Sequence, residues 1–148
     1  MSKKRFYRTY KRGEVVYVDF GWKPHGVEGS IRPAVVVSSN ASNHKRAPQV
    51  TVCPLSTKLK DIRVHVKIHP LDVSGYHLRS VSDFMPEDIQ TVSKSAIRGN
   101  VGYITVDSDI MNEIDRALVT QLGLQHIVTK MVKERCENAE KGQDEEVC

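Results

Sequence analysis

The chain has 148 residues, of which 39% are apolar and 27% are charged, and its formal net charge is +4. This length provides for one hydrophobic core, and no apolar run approaches the roughly 18 residues that a membrane-spanning helix needs. The basic N-terminus is not followed by an apolar segment, so the sequence predicts no secretory signal. We therefore expect a cytoplasmic protein with no membrane association.

Positive charge is concentrated in the first part of the chain. Residues 1–12 contain six basic residues and no acidic one, whereas residues 130–148 contain four basic and six acidic residues. Residues 1–129 therefore carry 18 basic against 12 acidic residues, a net charge of +6. Such an excess is compatible with a polyanionic partner, although many basic proteins never bind nucleic acid.

Runs of β-branched and aromatic residues predict several short strands. The first covers residues 14–20, between two glycines, and a loop rich in glycine and proline follows at 21–31. The continuous apolar run at 33–38 predicts a buried strand. Residues 49–53 predict a third strand that ends at Pro54.

A regular alternation of apolar and basic side chains marks residues 63–69. Two valines and an isoleucine point to one face of this predicted strand. The basic residues point to the other face: Arg63, His65, Lys67 and His69. Residues 80–84 and 88–92 are further strand candidates, and several short strands with turns between them predict a β-barrel or a sandwich.

One amphipathic helix is predicted to follow the strands. Asp107 or Ser108 can cap its N-terminus, and Gly123 can end it. Its apolar residues recur at helical spacing: Ile110, Met111, Ile114, Ala117, Leu118 and Leu122. A second, highly charged helical pattern covers residues 127–139, and the polar residues 140–148 predict disorder.

Five segments in chain order resemble the MazF/PemK family of toxins from type II toxin–antitoxin systems. They are the first strand at 13–19, a loop and apolar strand at 28–37, the end of the third strand at 52–58, a late motif at 87–92 and the closing helix at 114–124. The resemblance implies a mainly β protein with α, an SH3-like β-barrel with a C-terminal amphipathic helix. The barrel domain would cover residues 13–124, between a basic arm at 1–12 and a charged helical or disordered tail at 125–148.

The resemblance also implies an activity and partners. Toxins of this family are endoribonucleases, also called mRNA interferases, that cut single-stranded RNA at short sequences and are inhibited by a cognate antitoxin protein. For this chain it implies a homodimeric, metal-independent endoribonuclease that needs no cofactor. The catalytic pair of the family, carried over, is Arg32 and Ser56. Thr57 lies next to Ser56 and is the alternative hydroxyl.

The chemistry of RNA cleavage suits an arginine and a hydroxyl. When the 2′-hydroxyl attacks the neighbouring phosphorus, negative charge concentrates on the phosphoryl oxygens. Arg32 can donate two hydrogen bonds to phosphate and keeps its charge, so it suits an electrostatic stabiliser better than a proton shuttle. Ser56 would donate one more hydrogen bond. Without the resemblance, Arg32 reads as a surface arginine, and the two hydroxyls read as turn residues after Pro54.

Four further residues are candidates for catalysis or substrate binding. Glu28 and Gly29 lie in the loop before the second strand, and Asp88 and Gln90 lie in the late motif. The family commonly has Gln at the position of Asp88 and Arg at that of Gln90. A carboxylate repels phosphate but accepts a hydrogen bond from a base or a 2′-hydroxyl, so we expect Asp88 to alter the sequence that is cut. The alternative is an exposed loop acid.

A set of basic side chains could contact the RNA backbone: Lys58, Arg63, His65 and Lys67. The alternative is an ordinary solvated strand face. His65 and His69 have no acidic or cysteine partner at metal-site spacing, so the sequence predicts no metal site.

Two other functions stay open at this point. One is a toxin of the same fold that binds DNA gyrase without catalysis, and the other is a noncatalytic RNA-binding module. Arg32 and Ser56 favour the nuclease, since a binding protein needs neither residue.

Overall fold

The computed structural model describes residues 5–22, 30–75 and 78–143, and antiparallel strands form most of its core. These residues contain eight strands: β1 (Glu14–Asp19), β2 (Ile31–Val36), β3 (Gln49–Ser56), β4 (Val66–Ile68), β5 (Ser74–Gly75), β6 (Ser82–Phe84), β7 (Gln90–Ser93) and β8 (Ile97–Tyr103). Their order in the sheet is β4-β6-β3-β2-β1-β8-β5. β3 also pairs with two further strands: β7 pairs with its first half, and β6 pairs with its last two residues.

Five of the strands enclose a small apolar cluster. The buried members of this barrel cluster are mostly valine: Tyr10, Val16, Val18, Ala34, Val36, Val50 and Val52. Val92 of β7 and Ile97 of β8 pack against them, so β7, β3, β2, β1 and β8 all contribute. Branched side chains of this size suit a pleated, curved sheet. The expected small β-barrel is confirmed.

A second apolar cluster occupies the opposite face of the same strands. Val15, Val35 and Cys53 alternate along their strands with members of the barrel cluster, so their side chains point the other way. They pack with Phe84 of β6 and Ile114 of the first helix. The sheet is therefore apolar on both faces, as the unbroken apolar run of the second strand predicted.

Helix α1 spans Asp109–Gln121 and covers this second cluster. Ser108 caps it, because its Oγ accepts a hydrogen bond from the Met111 amide at 3.2 Å. The predicted apolar stripe is buried from Ile110 to Leu118. Leu122 is 50% exposed instead, because the helix has already ended at this residue.

Helix α2 spans Gln125–Asn138, close to the range that its sequence pattern predicted. Gly123 separates it from α1 with a φ of 66°, a left-handed conformation that favours glycine. None of the helices in the described ranges is both long and apolar enough to cross a membrane. Residues 139–143 form a π-helical turn where disorder was predicted, and residues 144–148 lie outside the described residues.

The basic arm is anchored where the structure describes it. The Tyr7 amide donates a hydrogen bond to the Lys45 carbonyl at 2.6 Å, and Tyr10 is buried in the barrel cluster. Arg12 Nη2 lies 2.7 Å from Asp115 Oδ1 on α1. The last residues of the arm are therefore part of the fold.

Several predicted strand boundaries differ from the observed ones by one or two residues, and two boundaries differ by three. β3 does not end at Pro54, because Pro54 pairs with Ala34 of β2 and the strand then continues along β6 to Ser56. The strand predicted at 63–69 is shorter, because the His65 amide donates to the Ile62 carbonyl at 3.0 Å and makes a turn before β4.

Two strands were not predicted at all. β8 contains Gly99 and Gly102, which weaken the strand signal in the sequence. Gly102 is needed because a Cβ there would lie 2.5 Å from the Ser74 carbonyl oxygen of β5, the other unpredicted strand.

Candidate active site

Arg32 and Ser56 both lie just beyond the last pair of the β2–β3 ladder, at the open end of this hairpin. The last pair of the ladder joins Ala34 to Pro54. Continuing the same offset by two residues brings Arg32 opposite Ser56. Pro33 and Pro54 have no amide proton to donate, which accounts for the early end of the ladder. The fold therefore brings the two predicted catalytic residues to the ends of adjacent strands.

The two side chains also share one face of the sheet. Side chains two residues apart on a strand point the same way. The side chain of Arg32 therefore points to the same face as that of Ala34, and the side chain of Ser56 to the same face as that of Pro54. Ala34 is a member of the barrel cluster, which places this face toward the barrel interior. Gln90 pairs with a β3 residue of the same face, Val52. A cation, a hydroxyl and an amide are therefore expected on the same face of the sheet, with Gln90 four residues along β3 from Ser56.

The fold distinguishes Ser56 from its neighbour. Ser56 is the last residue of β3, is half-buried and pairs with Asp83 of β6. Its Oγ accepts a hydrogen bond from the Lys58 amide at 3.2 Å, which begins the turn out of the strand. Thr57 follows the strand and is exposed. Because adjacent strand residues alternate in direction, only the Ser56 position lies on the face of Arg32.

The late motif packs against the same strand end. The Met85 amide donates a hydrogen bond to the Pro54 carbonyl at 3.2 Å, and a short 3-10 turn at Pro86–Asp88 follows. Asp88 is exposed in this turn, and its carbonyl accepts a hydrogen bond from Gln90 Nε2 at 3.2 Å. Both late-motif candidates therefore adjoin the Ser56 end of β3.

The prediction that His65 points outward in a row with its basic neighbours is wrong. Its side chain is only 3% exposed, because the turn before β4 directs it into the protein. Its Nδ1 lies 3.2 Å from Asp83 Oδ2, and its Nε2 lies 2.5 Å from Glu87 Oε1. Asp83 Oδ2 also accepts a hydrogen bond from the Lys60 amide at 2.7 Å. His65 thus contacts two carboxylates and is not available to an RNA backbone.

The other predicted candidates have simpler surroundings. Lys58, Arg63 and Lys67 are exposed, and their contact with RNA stays a prediction. Glu28 and Gly29 lie outside the described residues. Among the residues that are described, no three His, Cys, Asp or Glu side chains are grouped so as to hold a metal ion.

Comparison with known proteins identifies the family. The family model of PemK-like, MazF-like toxins of type II toxin–antitoxin systems matches residues 11–122. The chain belongs to this toxin family. The match covers the barrel and α1 but leaves out the first part of the arm and all of α2.

Individual relatives of this MazF-like toxin agree with the family match. It is 28% identical over 119 residues to a protein named endoribonuclease MazF from Staphylococcus saprophyticus, an alignment that covers 79% of this chain and 94% of that protein. A mycobacterial endoribonuclease structure matches with a TM-score of 0.62 and 27% identity, over 80% of this chain and 96% of that one. A mycobacterial endoribonuclease solved in complex with its cognate antitoxin matches with a TM-score of 0.59 and 26% identity, over 78% and 94%.

The contact between His65 and Asp83 was not predicted from the sequence. A signal for it exists in residues 80–84, where a carboxylate stands in a strand whose other members are mostly apolar or small. A buried carboxylate needs hydrogen-bond partners, so Asp83 implied a nearby donor. The sequence does not show which residue is that donor, because His65 lies 18 residues away, in the turn before a neighbouring strand.

Proposed function

We propose that this MazF-like toxin is a sequence-specific endoribonuclease that cuts single-stranded RNA, including mRNA, without a metal ion or cofactor. The observation that supports the proposal is the β2–β3 register: its last pair is Ala34–Pro54, and the same offset continued by two residues would put Arg32 opposite Ser56. The names of the Staphylococcus saprophyticus and mycobacterial relatives, all endoribonucleases, support it.

In the proposed reaction, the 2′-oxygen of a ribose forms a bond to the adjacent phosphorus while the bond from phosphorus to the 5′-oxygen breaks. The 2′-hydroxyl loses its proton to solvent, and the departing 5′-oxygen gains one. The products are a 2′,3′-cyclic phosphate and a 5′-hydroxyl. Arg32 stabilises the charge that develops on the phosphoryl oxygens with its planar pair of N–H donors, and Ser56 donates a further hydrogen bond from the next strand.

The late motif supplies the proposed contacts to the bases. Gln90 shares the face of the catalytic pair, and Asp88 is exposed at the turn beside it. The Asp88 carboxylate accepts hydrogen bonds but donates none, so it favours a base edge that presents an amino group. We expect the preferred RNA sequence to contain such a base close to the cut.

The proposal includes the partners of the toxin. It acts as a homodimer in the cytoplasm and is inhibited by a cognate antitoxin. The mycobacterial endoribonuclease that was solved in complex with its own cognate antitoxin supports a partner of this kind. Lys58, Arg63 and Lys67 are exposed cations near the Ser56 end of β3, and an acidic antitoxin segment would complement them in charge.

Incubation of the purified toxin with mixed-sequence single-stranded RNA in the presence of EDTA tests the proposal. The 5′ ends of the products are mapped for the wild type, Arg32→Ala, Arg32→Lys and Arg46→Ala. Arg46 is a matched control, since it is exposed in the loop at the closed end of the β2–β3 hairpin. Loss of Arg32 should lower cleavage on the order of 100- to 1,000-fold, and Lys should restore only part of it because it lacks the planar fork.

The same experiment separates the competing functions. Defined cuts that persist in Arg46→Ala and vanish in Arg32→Ala support the nuclease. RNA that stays intact at high toxin concentration contradicts it. Retention of intact RNA in a binding assay would then indicate an RNA-binding module, and inhibition of purified DNA gyrase would indicate a noncatalytic toxin.

A further inference from the structure

A buried histidine connects the two segments that carry the candidate site. His65 contacts Asp83 through Nδ1 and Glu87 through Nε2, at 3.2 Å and 2.5 Å. These three side chains, called the histidine bridge below, come from the turn before β4, from β6 and from the Pro86–Asp88 turn. The bridge therefore joins the turn before β4 to two points, four residues apart, on the segment that contains β6 and the Pro86–Asp88 turn.

The histidine bridge is mostly buried. The side chains of His65 and Asp83 are 3% and 0% exposed, whereas that of Glu87 is 37% exposed. Both ring nitrogens face carboxylate oxygens, so two hydrogen bonds require that the ring carries both protons or that one carboxyl group carries a proton. Asp83 Oδ1 is buried and has no hydrogen-bond partner among the residues that the structure describes. Apolar side chains could be buried here at a lower cost in free energy, so stability alone does not account for this cluster.

One end of the bridge holds the segment that carries the candidate catalytic hydroxyl. Asp83 is the cross-strand partner of Ser56, and its Oδ2 accepts a hydrogen bond from the Lys60 amide at 2.7 Å. The strand end and the turn that follows it are thus attached to one carboxylate. The Nδ1 atom of His65 contacts the same carboxylate oxygen.

The other end of the bridge holds the segment that carries the candidate base contacts. Glu87 lies in the same short turn as Asp88, and the Asp88 carbonyl accepts a hydrogen bond from the Gln90 side chain. His65 fixes this turn through the Glu87 carboxylate. The Asp88 turn is thus attached to the Ser56 end of β3 in two ways: by the backbone hydrogen bond from Met85 to Pro54, and by His65, which joins Glu87 to Asp83.

We propose that His65 is a positioning residue that sets the distance between the hydroxyl segment at Ser56 and the base-reading segment at Asp88–Gln90. The proposal rests on the proposed ribonuclease function. His65 does not touch RNA, since its side chain is enclosed. It acts on cleavage rate through Asp83 and on sequence preference through Glu87, so the two effects are separable.

Two conservative substitutions separate the halves of the bridge. The Nδ2 of His65→Asn occupies a position close to the former Nδ1 and keeps the contact with Asp83. The Nε2 of His65→Gln reaches toward the former Nε2 and keeps the contact with Glu87. His65→Leu removes both contacts and keeps an apolar side chain in the buried space. His126→Asn and His126→Gln are matched controls, because His126 is exposed on α2, outside the proposed site.

Each variant is assayed for kcat and KM at one mapped cleavage site, for its full cleavage map, and for hydrogen exchange of the Lys60 amide. His65→Asn should keep kcat and Lys60 protection but cut additional sequences. His65→Gln should keep the sequence preference but lose kcat on the order of tenfold, the effect of one lost hydrogen bond, with faster Lys60 exchange. His65→Leu should show both defects while thermal unfolding confirms that it is folded.

Several results would overturn the positioning role. If His65→Leu is folded and cuts the wild-type sites at the wild-type rate, His65 has no positioning role. A second contradicting result would be a loss of kcat of the same size in His65→Asn and His65→Gln that follows their melting temperatures. A purely structural residue would give that pattern. If the wild type leaves RNA intact, the proposed function fails and the positioning role falls with it. If the wild type cuts and the variants do not differ from the His126 controls, only the positioning role fails.

Discussion

Ser56 pairs with Asp83 across the β3–β6 ladder, so a half-buried hydroxyl and a fully buried carboxylate hold opposite positions on neighbouring strands. This pairing carries β3 past Pro54, where a proline would otherwise be expected to end the strand. Ser56 therefore remains in extended backbone, with its side chain on the face of Arg32. Thr57 has lost that support and lies on the exposed turn.

The pairing predicts which hydroxyl takes part in cleavage. Ser56→Ala should lower kcat on the order of 100-fold, as expected for the loss of one preorganised donor, while Ser56→Thr retains most of the activity. Thr57→Ala is the matched control and should cleave at close to the wild-type rate. Single-turnover kinetics on one RNA site measure all three. A large loss in Thr57→Ala together with a small one in Ser56→Ala would reverse the assignment.

Asp88 is predicted to set sequence preference without taking part in the chemistry. Asp88→Gln adds a donor where the wild type has only acceptors, so the cleavage map should shift to different bases while the maximal rate on the best site changes little. Sequencing of 5′ ends from a mixed RNA pool measures the shift. Glu134→Gln makes the same chemical change at an exposed position on α2 and should leave the map unchanged. Identical maps for Asp88→Gln and wild type would remove Asp88 from recognition.

Cys53 is predicted to be inert in the folded protein. Its side chain is fully buried, and burial, with smaller contributions from the Glu87 and Asp88 carboxylates, raises the pKa of its thiol to about 12. At pH 8 only roughly one thiol in ten thousand is then ionised, and the thiolate is the reactive form. Peptide mass mapping after treatment with iodoacetamide should find Cys53 unmodified in native protein and modified in guanidinium. Rapid modification under native conditions would contradict the buried position.

Lys94 is predicted to make stability depend on pH. It is 6% exposed, and its Nζ donates a hydrogen bond to the His44 carbonyl at 2.9 Å. Burial lowers the pKa of Lys94 below its usual value, so the unfolded chain binds this proton more tightly than the folded one. The free energy of unfolding should therefore rise with pH between the lowered folded pKa and the unfolded pKa of 10.5.

Comparison with Lys94→Met isolates this effect. Tyr10 contributes in the opposite direction, because burial raises the pKa of its hydroxyl, but it is present in both proteins. The difference in unfolding free energy, from guanidinium titrations at about pH 7 and about pH 10, should move in favour of the wild type at the higher pH. A difference that stays constant, or moves toward Lys94→Met, would contradict the predicted titration.

The local elements of the fold could be predicted because they depend on nearest neighbours along the chain. The valine-rich β1 and β2, and the capped, amphipathic α1, have the residue types and spacing that their backbone conformations favour. β8 was missed because its glycines serve a close approach to β5, which no local pattern reveals. The turn before β4 was missed because the alternation of residues 63–69 continues through it.

By itself, the sequence determined six of the eight strands, the two helices, the order of the family motifs and the identity of Arg32 and Ser56 as candidates. Only the tertiary structure decided that these two lie at the ends of adjacent strands, and that His65 is enclosed between Asp83 and Glu87. The physical reason is the distance along the chain over which each effect acts. Backbone preference and periodicity act over a few residues, whereas strand register and the burial of a charged side chain depend on which distant segments the folded sheet brings together.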